Sequence, residues 1–448
     1  MNIQEYLEKV KNREISIVKI VEKITKEAKS SPNHFTAVAN SHAIKRAEQL
    51  EKNPVGNLAG LPISIKDCIC VKDLDSTAGS EILQNYRPPF NATVIKNLEK
   101  QGAIIIGKTS QDEFGFGSFS VNTKKIPKNP YDQTRSCGGS SGGAAAFTSY
   151  TKQPHIALAE STGGSIANPA SFCGVAGLTP TYGLISRYGL IDYANSLDKI
   201  GTLAKTVKDA FLGLYNSLSY DEKDSTSLTQ TISKEKKVKK IAIVKESLEV
   251  DKDIKDLILS KVKDYDLISL PNVKKHAIPT YYIIAMSEAS TNLAKYCGIR
   301  YGATSDLKGN FDEFFSSVRS KHFQKESKRR IILGTFARMS GFRDAYYLKA
   351  QKVRTLIINE YKKAFKKYDI LISPTMPIIA PKFSEIEKLT PLENYMLDTL
   401  TVGPNLAGLP HLSLNAGFKE KMPVGIMLTT NHLEEEKLRT LGEEIEDN

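Results

Sequence analysis

Residues 136–165 read SCGGSSGGAAAFTSYTKQPHIALAESTGGS, which sets two glycine-flanked serine sites into one short span. The glycines around Ser140 and Ser141, and Gly163 and Gly164 before Ser165, let backbone amides approach a ligand closely and adopt conformations that a Cβ forbids. Amides so placed can form an oxyanion hole. The rest of the chain must therefore fold so as to present this stretch, and the chemistry is placed here. A serine hydroxyl needs a base, and its usual partner is histidine. The seven histidines give no lead: His155 lies in the run between the two serine sites, while His34, His42, His276, His322, His411 and His432 are scattered through segments with no other catalytic signature.

A lysine can replace histidine where burial disfavours its charged form. Lys66 is the candidate. It ends the apolar run Leu61-Pro62-Ile63-Ser64-Ile65, which suits a buried strand, and it precedes Asp67 at the expected strand end.

With Lys66, Ser140 and Ser165 in hand, the chain resembles the amidase signature family, whose hallmark is a Ser-Ser-Lys triad in a glycine- and serine-rich stretch. The resemblance implies that Ser165 is the nucleophile, Ser140 the bridging serine held by a cis peptide, and Lys66 the general base. It also implies an oxyanion hole built from the amides of Thr162, Gly163, Gly164 and Ser165. Without the resemblance, the three triad members read as ordinary turn and strand-end residues.

Two other motifs compete. Gly102, Gly107, Lys108 and Thr109 match the phosphate-loop pattern G-x-x-x-x-G-K-[ST], but a true phosphate loop follows a strand. Here the loop interior Ala103-Ile104-Ile105-Ile106 itself reads as the strand, preceded by a helical pattern over residues 91–101. Gly138-Gly139-Ser140-Ser141-Gly142 fits the G-x-S-x-G nucleophile elbow, which would make Ser140 the nucleophile of an α/β-hydrolase. That reading leaves Lys66 and the second serine site unexplained.

At 448 residues with 40% hydrophobic content, the chain can bury a large core, and length alone suggests about three domains, although single α/β domains of this size exist. The net charge of +12 comes from scattered lysines and small clusters such as Lys236-Lys237 and Lys239-Lys240; it permits nucleic-acid contact without showing it. Cys68, Cys70, Cys137, Cys173 and Cys297 form no C-x-x-C pair, and an odd number argues against a secreted disulfide framework, so they read as reduced thiols.

Glu5, Glu8, Glu14, Glu22 and Glu27 interrupt the N-terminus, which reads as neither a signal nor a transit peptide; an intracellular, cytoplasmic location is the expectation. Leu7, Val10, Ile15, Ile17, Ile20, Val21 and Ile24 recur at helical spacings and predict amphipathic packing helices. Residues 221–240, DEKDSTSLTQTISKEKKVKK, read as an exposed linker within the domain. A strand at 241–244 and a helical run at 253–262 continue the α/β alternation.

After Ser165 the family resemblance extends to about residue 210, which makes 58–210 a signature core, and with later stretches it takes in nearly the whole of 1–448 as a single amidase domain. Ser186-Arg187-Tyr188-Gly189-Leu190 and Ser196-Leu197-Asp198 resemble one branch of the family, the glutaminase subunits of tRNA-dependent amidotransferases. So do Ser287-Glu288-Ala289-Ser290, residues 329–335, and Asn405-Leu406-Ala407-Gly408-Leu409-Pro410. The resemblance implies an α/β fold with a central mixed sheet flanked by helices. It implies glutamine as substrate, held by Arg330 and Asp398, whose charges suit an amino acid's carboxylate and ammonium, with Tyr281 or Tyr282 closing the pocket. It further implies a B-type partner that binds ATP, Mg and most of the tRNA, a small C-type subunit, and no cofactor or metal in this chain. Read from residues alone, Lys328, Arg329 and Arg330 form a solvated charge run and Asp398 caps a turn or helix.

The chain also departs from the family. The spacing from Ser140 to Ser165 is 25, one longer than the family pattern. Ser161 stands where the family usually has aspartate, and Ala167 where it usually has arginine, which puts the bracing of the oxyanion loop in question. Three alternatives stay open: a stand-alone amidase for small neutral amides, a non-catalytic assembly subunit, and a nucleotide-binding enzyme using residues 102–109.

Overall fold

A computed structural model describes residues 1–448 as an α/β protein. Its eleven strands are β1 Phe35–Val38, β2 Pro62–Lys66, β3 Ile104–Thr109, β4 Ile156–Ser161, β5 Ala176–Thr179, β6 Lys199–Ala204, β7 Ile241–Val244, β8 Tyr265–Ile268, β9 Ile370–Pro374, β10 His411–Lys419 and β11 Met422–Thr430. They form one sheet in the order β1-β3-β2-β4-β6-β5-β10-β11-β9-β7-β8. The sheet is mixed: β3, β2 and β4 run parallel, as do β9, β7 and β8, while every other pairing is antiparallel.

Every residue of β2, β3 and β4 is buried, as strands covered by helices on both faces must be. One contiguous apolar core draws on both ends of the chain, from Ile3 and Tyr6 to Leu441 and Ile445. The N-terminal pattern forms two helices, Ile3–Lys11 and Ile17–Ser30, capped by Asn2 and Ser16 and burying Ile3, Tyr6, Val10, Ile17, Ile20, Val21 and Ile24. No helix is long and apolar enough to cross a membrane.

The α-then-β unit is present as a helix at Thr93–Lys100 followed by β3, but β3 does not end at Ile106. It continues through Gly107, Lys108 and Thr109, which pair with Ser64, Ile65 and Lys66 of β2. The reason lies at Gly107: a Cβ there would sit 2.4 Å from the Ala37 carbonyl oxygen, so only glycine lets β1 and β3 close up. The would-be phosphate loop is thus strand from Ile104 to its last residue, Thr109. Lys108 is fully buried, donating to Ile69 O at 2.6 Å, Ser76 Oγ at 2.7 Å and Asp67 O at 3.2 Å. The elbow context is missing as well, since no strand precedes Ser140 between residues 116 and 141.

Residues 221–240 contain no helix or strand. Their first part is not simply exposed. Asp221 accepts from Thr93 Oγ1 at 2.5 Å and Ser186 Oγ at 2.6 Å, and Asp224, itself buried, lies 3.4 Å from the Arg187 guanidinium. A polar segment can dock when its carboxylates find donors, which a composition reading does not register.

Candidate active site

Adjacent parallel strands place the lysine. β2 pairs with β4 from Ile63↔Ile156 to Ile65↔Leu158, so Lys66 at the end of β2 comes level with the last residues of β4. Open α/β sheets carry their sites at such carboxyl ends. Lys66 is fully buried, and its Nζ lies 2.7 Å from Ser140 Oγ, 2.9 Å from Glu160 O and 2.9 Å from Glu160 Oε2. Ser140 follows a cis peptide from Gly139 and leads into the helix Gly142–Tyr150. Ser165 follows β4 after three residues and leads into the helix Ala167–Cys173. The Ser141 amide donates to Ser165 O at 3.2 Å, which ties the two serine loops together. Ser165 Oγ itself makes no hydrogen bond within the chain.

The amides of Thr162, Gly163, Gly164 and Ser165 find no acceptor within the protein. Four successive unpaired donors are unusual in a buried segment, where nearly all backbone N–H groups are paired. The glycines have a second reason, which the sequence does not reveal. A Cβ on Gly163 would lie 2.5 Å from Tyr281 Cζ, and one on Gly164 would lie 2.3 Å from Thr401 Oγ1. Both side chains press directly on the loop.

Bracing of this loop does not depend on positions 161 and 167. Ser161 Oγ is buried without a partner, and Ala167 is wholly buried. The loop is held instead by Asn405 Nδ2 on Gly163 O at 2.7 Å, and by Thr162 Oγ1, which lies 2.8 Å from Glu160 Oε1 and 2.9 Å from Asp198 Oδ1.

Arg330 and Asp398 open onto the same narrow cavity as Gly164, Ser165, Tyr281 and Tyr282. Arg330 projects from the helix Lys325–Arg338 and is 3% exposed, so the solvated charge run is ruled out at this position. Its Nε donates to Glu326 Oε1 at 2.8 Å and its Nη1 to the Tyr193 hydroxyl at 2.6 Å. The guanidinium also sits over the rings of Phe116, Tyr193, Tyr282 and Tyr395, at 5.2–5.7 Å from their centroids. Nη2 has no acceptor in the chain.

Asp398 Oδ2 accepts from the Tyr282 hydroxyl at 2.6 Å and from Ser118 Oγ at 2.9 Å, while Oδ1 has no donor. Burial raises the Asp398 carboxyl above its ordinary range, against the two hydroxyls and the Arg330 charge, which favour the anion. Arg330 and Asp398 are not within ion-pair distance of each other. The cavity therefore presents one cationic and one anionic group, each with an unmatched atom, beside Ser165.

Sequence reasoning missed Glu160, Glu326, Ser118 and Tyr193. A signal existed for the first: Glu160 is the only acid in the otherwise apolar run IALAES, and a carboxylate buried in a strand requires a partner. Glu326 lies one helical turn before Arg330, an i,i+4 spacing that also could have been read. Nothing local points to Ser118 or Tyr193, which arrive from distant loops. No group of three or more His, Cys, Asp or Glu side chains is placed to hold a metal ion. The five cysteines are free; burial pushes the Cys70 thiol up to about 11 and the Cys68 thiol still higher, away from reactivity.

A family model described as Amidase matches residues 17–438. The chain is 42% identical to the A-type subunit of glutamyl-tRNA(Gln) amidotransferase from Trichodesmium erythraeum, over 93% of this chain and 92% of that protein. It is also 42% identical to the protein of the same name from Archaeoglobus fulgidus, over 99% and 98%. Among solved structures, the A-type subunit of the Thermotoga maritima glutamyl-tRNA(Gln) amidotransferase superposes with a TM-score of 0.82 at 32% identity, covering 100% of this chain and 94% of that one.

Proposed function

This chain belongs to the amidase family, and from that premise we propose that it is the glutaminase subunit of a tRNA-dependent amidotransferase, converting Glu-tRNA(Gln) to Gln-tRNA(Gln) with partner subunits. The observation that carries the substrate is the convergence of Arg330 and Asp398 on the cavity that Ser165 lines. A free amino acid brings one carboxylate and one ammonium, and Arg330 Nη2 and Asp398 Oδ1 are the unmatched atoms that would receive them. A neutral small amide has no use for that pair, which weighs against a stand-alone amidase. The intact Lys66–Ser140 contact at 2.7 Å weighs against a non-catalytic assembly subunit.

In the proposed reaction Ser165 Oγ attacks the side-chain amide carbon of glutamine while its proton passes through Ser140 toward Lys66. The unpaired amides of Thr162, Gly163, Gly164 and Ser165 receive the developing oxyanion; loss of one such donor typically lowers kcat by about 100- to 1000-fold. Ammonia leaves, and water then releases glutamate from the Ser165 ester. The Ser140–Ser165 contact closes when substrate enters, as catalytic hydrogen bonds often do. Tyr281, pressed on Gly163, and Tyr282, bound to Asp398, wall the pocket.

The ammonia passes to a B-type partner that carries ATP, Mg and the bulk of the tRNA, with a small C-type subunit completing the complex. To test this, the chain is purified with its co-purifying partners, given glutamine labelled in its amide nitrogen together with ATP and Glu-tRNA, and the label is followed. Label on the aminoacyl-tRNA, lost with Ser165→Ala, is the expected result. Label appearing only as free ammonia, without any partner, would replace this reading with a stand-alone amidase.

A further inference from the structure

The acceptors around Lys66 pose a chemical problem for a lysine that must remove a proton. Its Nζ faces Ser140 Oγ, Glu160 O and Glu160 Oε2, all within 2.7–2.9 Å. Three acceptors are the full complement of an ammonium group, which has no lone pair left for the Ser140 proton. A neutral amine would fill only two of them. Both side chains are sealed from water, at 0% and 4% exposure, so solvent cannot carry the proton away.

The other oxygen of Glu160 is fixed too. Thr162 Oγ1 lies against both Glu160 Oε1 and Asp198 Oδ1, and a single hydroxyl proton cannot serve two carboxylates. Burial first, and the Glu160 charge next, hold the Asp198 carboxyl well above its usual range. The Asp198 carboxyl has donors of its own in the Tyr193 amide at 2.9 Å and the Ala194 amide at 2.9–3.0 Å, which leaves the Thr162 proton to Glu160. The remaining ionisable groups nearby are engaged elsewhere. Asp112 accepts from the Ser120 and Asn122 amides, Asp67 from Thr77 and Gly79, and Lys108 donates to Ser76 and to the Asp67 and Ile69 carbonyls. Cys68 is held as the thiol by burial, and Lys199, opposite Ser161 in β6, turns to Leu409 O at 2.8 Å. Glu160 is the one acid in contact with the Lys66 nitrogen.

We infer that Glu160 is the proton store of the relay, acting through Lys66 as a positioning residue for the base. One Nζ proton passes to Glu160 Oε2, which leaves an amine whose lone pair turns to the Ser140 hydroxyl; as Ser165 Oγ bonds to the amide carbon, its proton moves to Ser140 and the Ser140 proton moves to Lys66 Nζ. Lys66 thus ends the step as an ammonium again and Glu160 becomes the acid. Collapse of the tetrahedral species reverses the chain and delivers a proton to the departing amide nitrogen. No other co-reactant is needed.

This rests on the glutaminase reading above, and the test separates the two. Glutamine hydrolysis by the purified complex is measured against pH for the wild type, Glu160→Gln, Glu160→Asp and Ser165→Ala. With the carboxylate present, the Nζ proton has an acceptor at 2.9 Å; without it, Lys66 must take and hold the Ser140 proton on its own. Glu160→Gln is therefore expected to move the acid limb of kcat/KM toward alkaline pH by at least about one unit, with activity at neutral pH down about tenfold or more and regained at higher pH. Glu160→Asp keeps a carboxylate and returns the limb to near its wild-type position, at lower kcat. A Gln variant whose activity falls evenly at all pH values, or whose limb moves toward acid, overturns the inference. If the Gln variant does not fold, the Asp variant decides: a limb displaced by about a unit or more there overturns it equally. Hydrolysis that survives Ser165→Ala sinks the glutaminase reading itself, whereas Ser165-dependent hydrolysis whose limb stays unmoved in Glu160→Gln removes only the role of Glu160.

Discussion

The Tyr282 hydroxyl donates to Asp398 Oδ2 at 2.6 Å, and both side chains are almost wholly buried beside Ser165. That bond favours the ionised aspartate, whereas burial favours the protonated one. Removing the donor with Tyr282→Phe raises the Asp398 carboxyl further. Its negative charge is then lost at a higher pH as the solution is acidified. The expected outcome is a KM for glutamine raised by about 1–3 kcal/mol of binding, with kcat changed less, and a KM that worsens on acidification sooner than in the wild type. Steady-state glutaminase assays from neutral pH downward check it; equal losses in kcat and KM effect at every pH would contradict it.

Arg330 holds its partners by shape as well as by charge. A lysine keeps the charge but cannot hold Glu326, the Tyr193 hydroxyl and a substrate carboxylate at once, nor spread over four rings. Arg330→Lys is expected to weaken glutamine by about 10- to 100-fold in kcat/KM, the cost of a lost charge-assisted bond. Hydrolysis of a small neutral amide should fall much less. Parallel loss on both substrates would show that Arg330 does not read the carboxylate.

The parts of the site visible in sequence are those with local signatures: glycines flanking Ser140 and Ser165, an apolar run ending in Lys66, and a helix-then-strand pattern at residues 91–106. Lys108 shows how such a signature misleads. Its phosphate-loop letters describe a strand residue whose ammonium is consumed by the carbonyls of Asp67 and Ile69. Glu160 is the opposite case: an acid in an apolar strand, whose partner Lys66 lies 94 positions away and is reached only because β2 and β4 pair in parallel. Register between strands is set by packing over the whole sheet, so no short window of sequence contains it. For the same reason the pressure of Tyr281 and Thr401 on Gly163 and Gly164 is not legible in sequence, although the glycines are.

That pressure can be tested directly. An alanine Cβ at Gly163 would meet Tyr281 Cζ at 2.5 Å, far inside van der Waals contact, so either the ring or the loop must move. Overpacking of this kind costs about 1–3 kcal/mol, and here the displaced loop carries the four unpaired amides. Gly163→Ala should lose about 100-fold or more in kcat, by analogy with loss of an oxyanion donor, with only a modest drop in melting temperature. Combining it with Tyr281→Ala relieves the clash and should recover part of the kcat. Failure of the double variant to recover any kcat would mean that the ring does not set the loop.

Buried histidines tie the stability of the fold to pH. His155 lies fully buried on the flank of β2, with Nε2 2.9 Å from Ser64 Oγ and its ring edge-on to Phe147. Burial, aided by the Lys205 charge, depresses its pKa from 6.5 to about 3. The folded chain therefore holds a neutral imidazole at pH 5, whereas the unfolded chain is protonated there. A base whose folded pKa is lowered binds fewer protons when folded, so stability falls as pH drops below about 6.5, and continues to fall toward pH 3 with a slope of up to about 1.4 kcal/mol per pH unit. His34, depressed to about 4 by burial, adds a second contribution of the same sign. Above pH 7 neither group contributes a slope. Replacing His155 by Gln, which keeps a polar contact to Ser64 but cannot titrate, should lower stability at neutral pH while flattening the decline between pH 6.5 and 4. Urea midpoints measured across that interval check it: a variant that declines as steeply as the wild type would show that His155 is not the group whose protonation unfolds the chain.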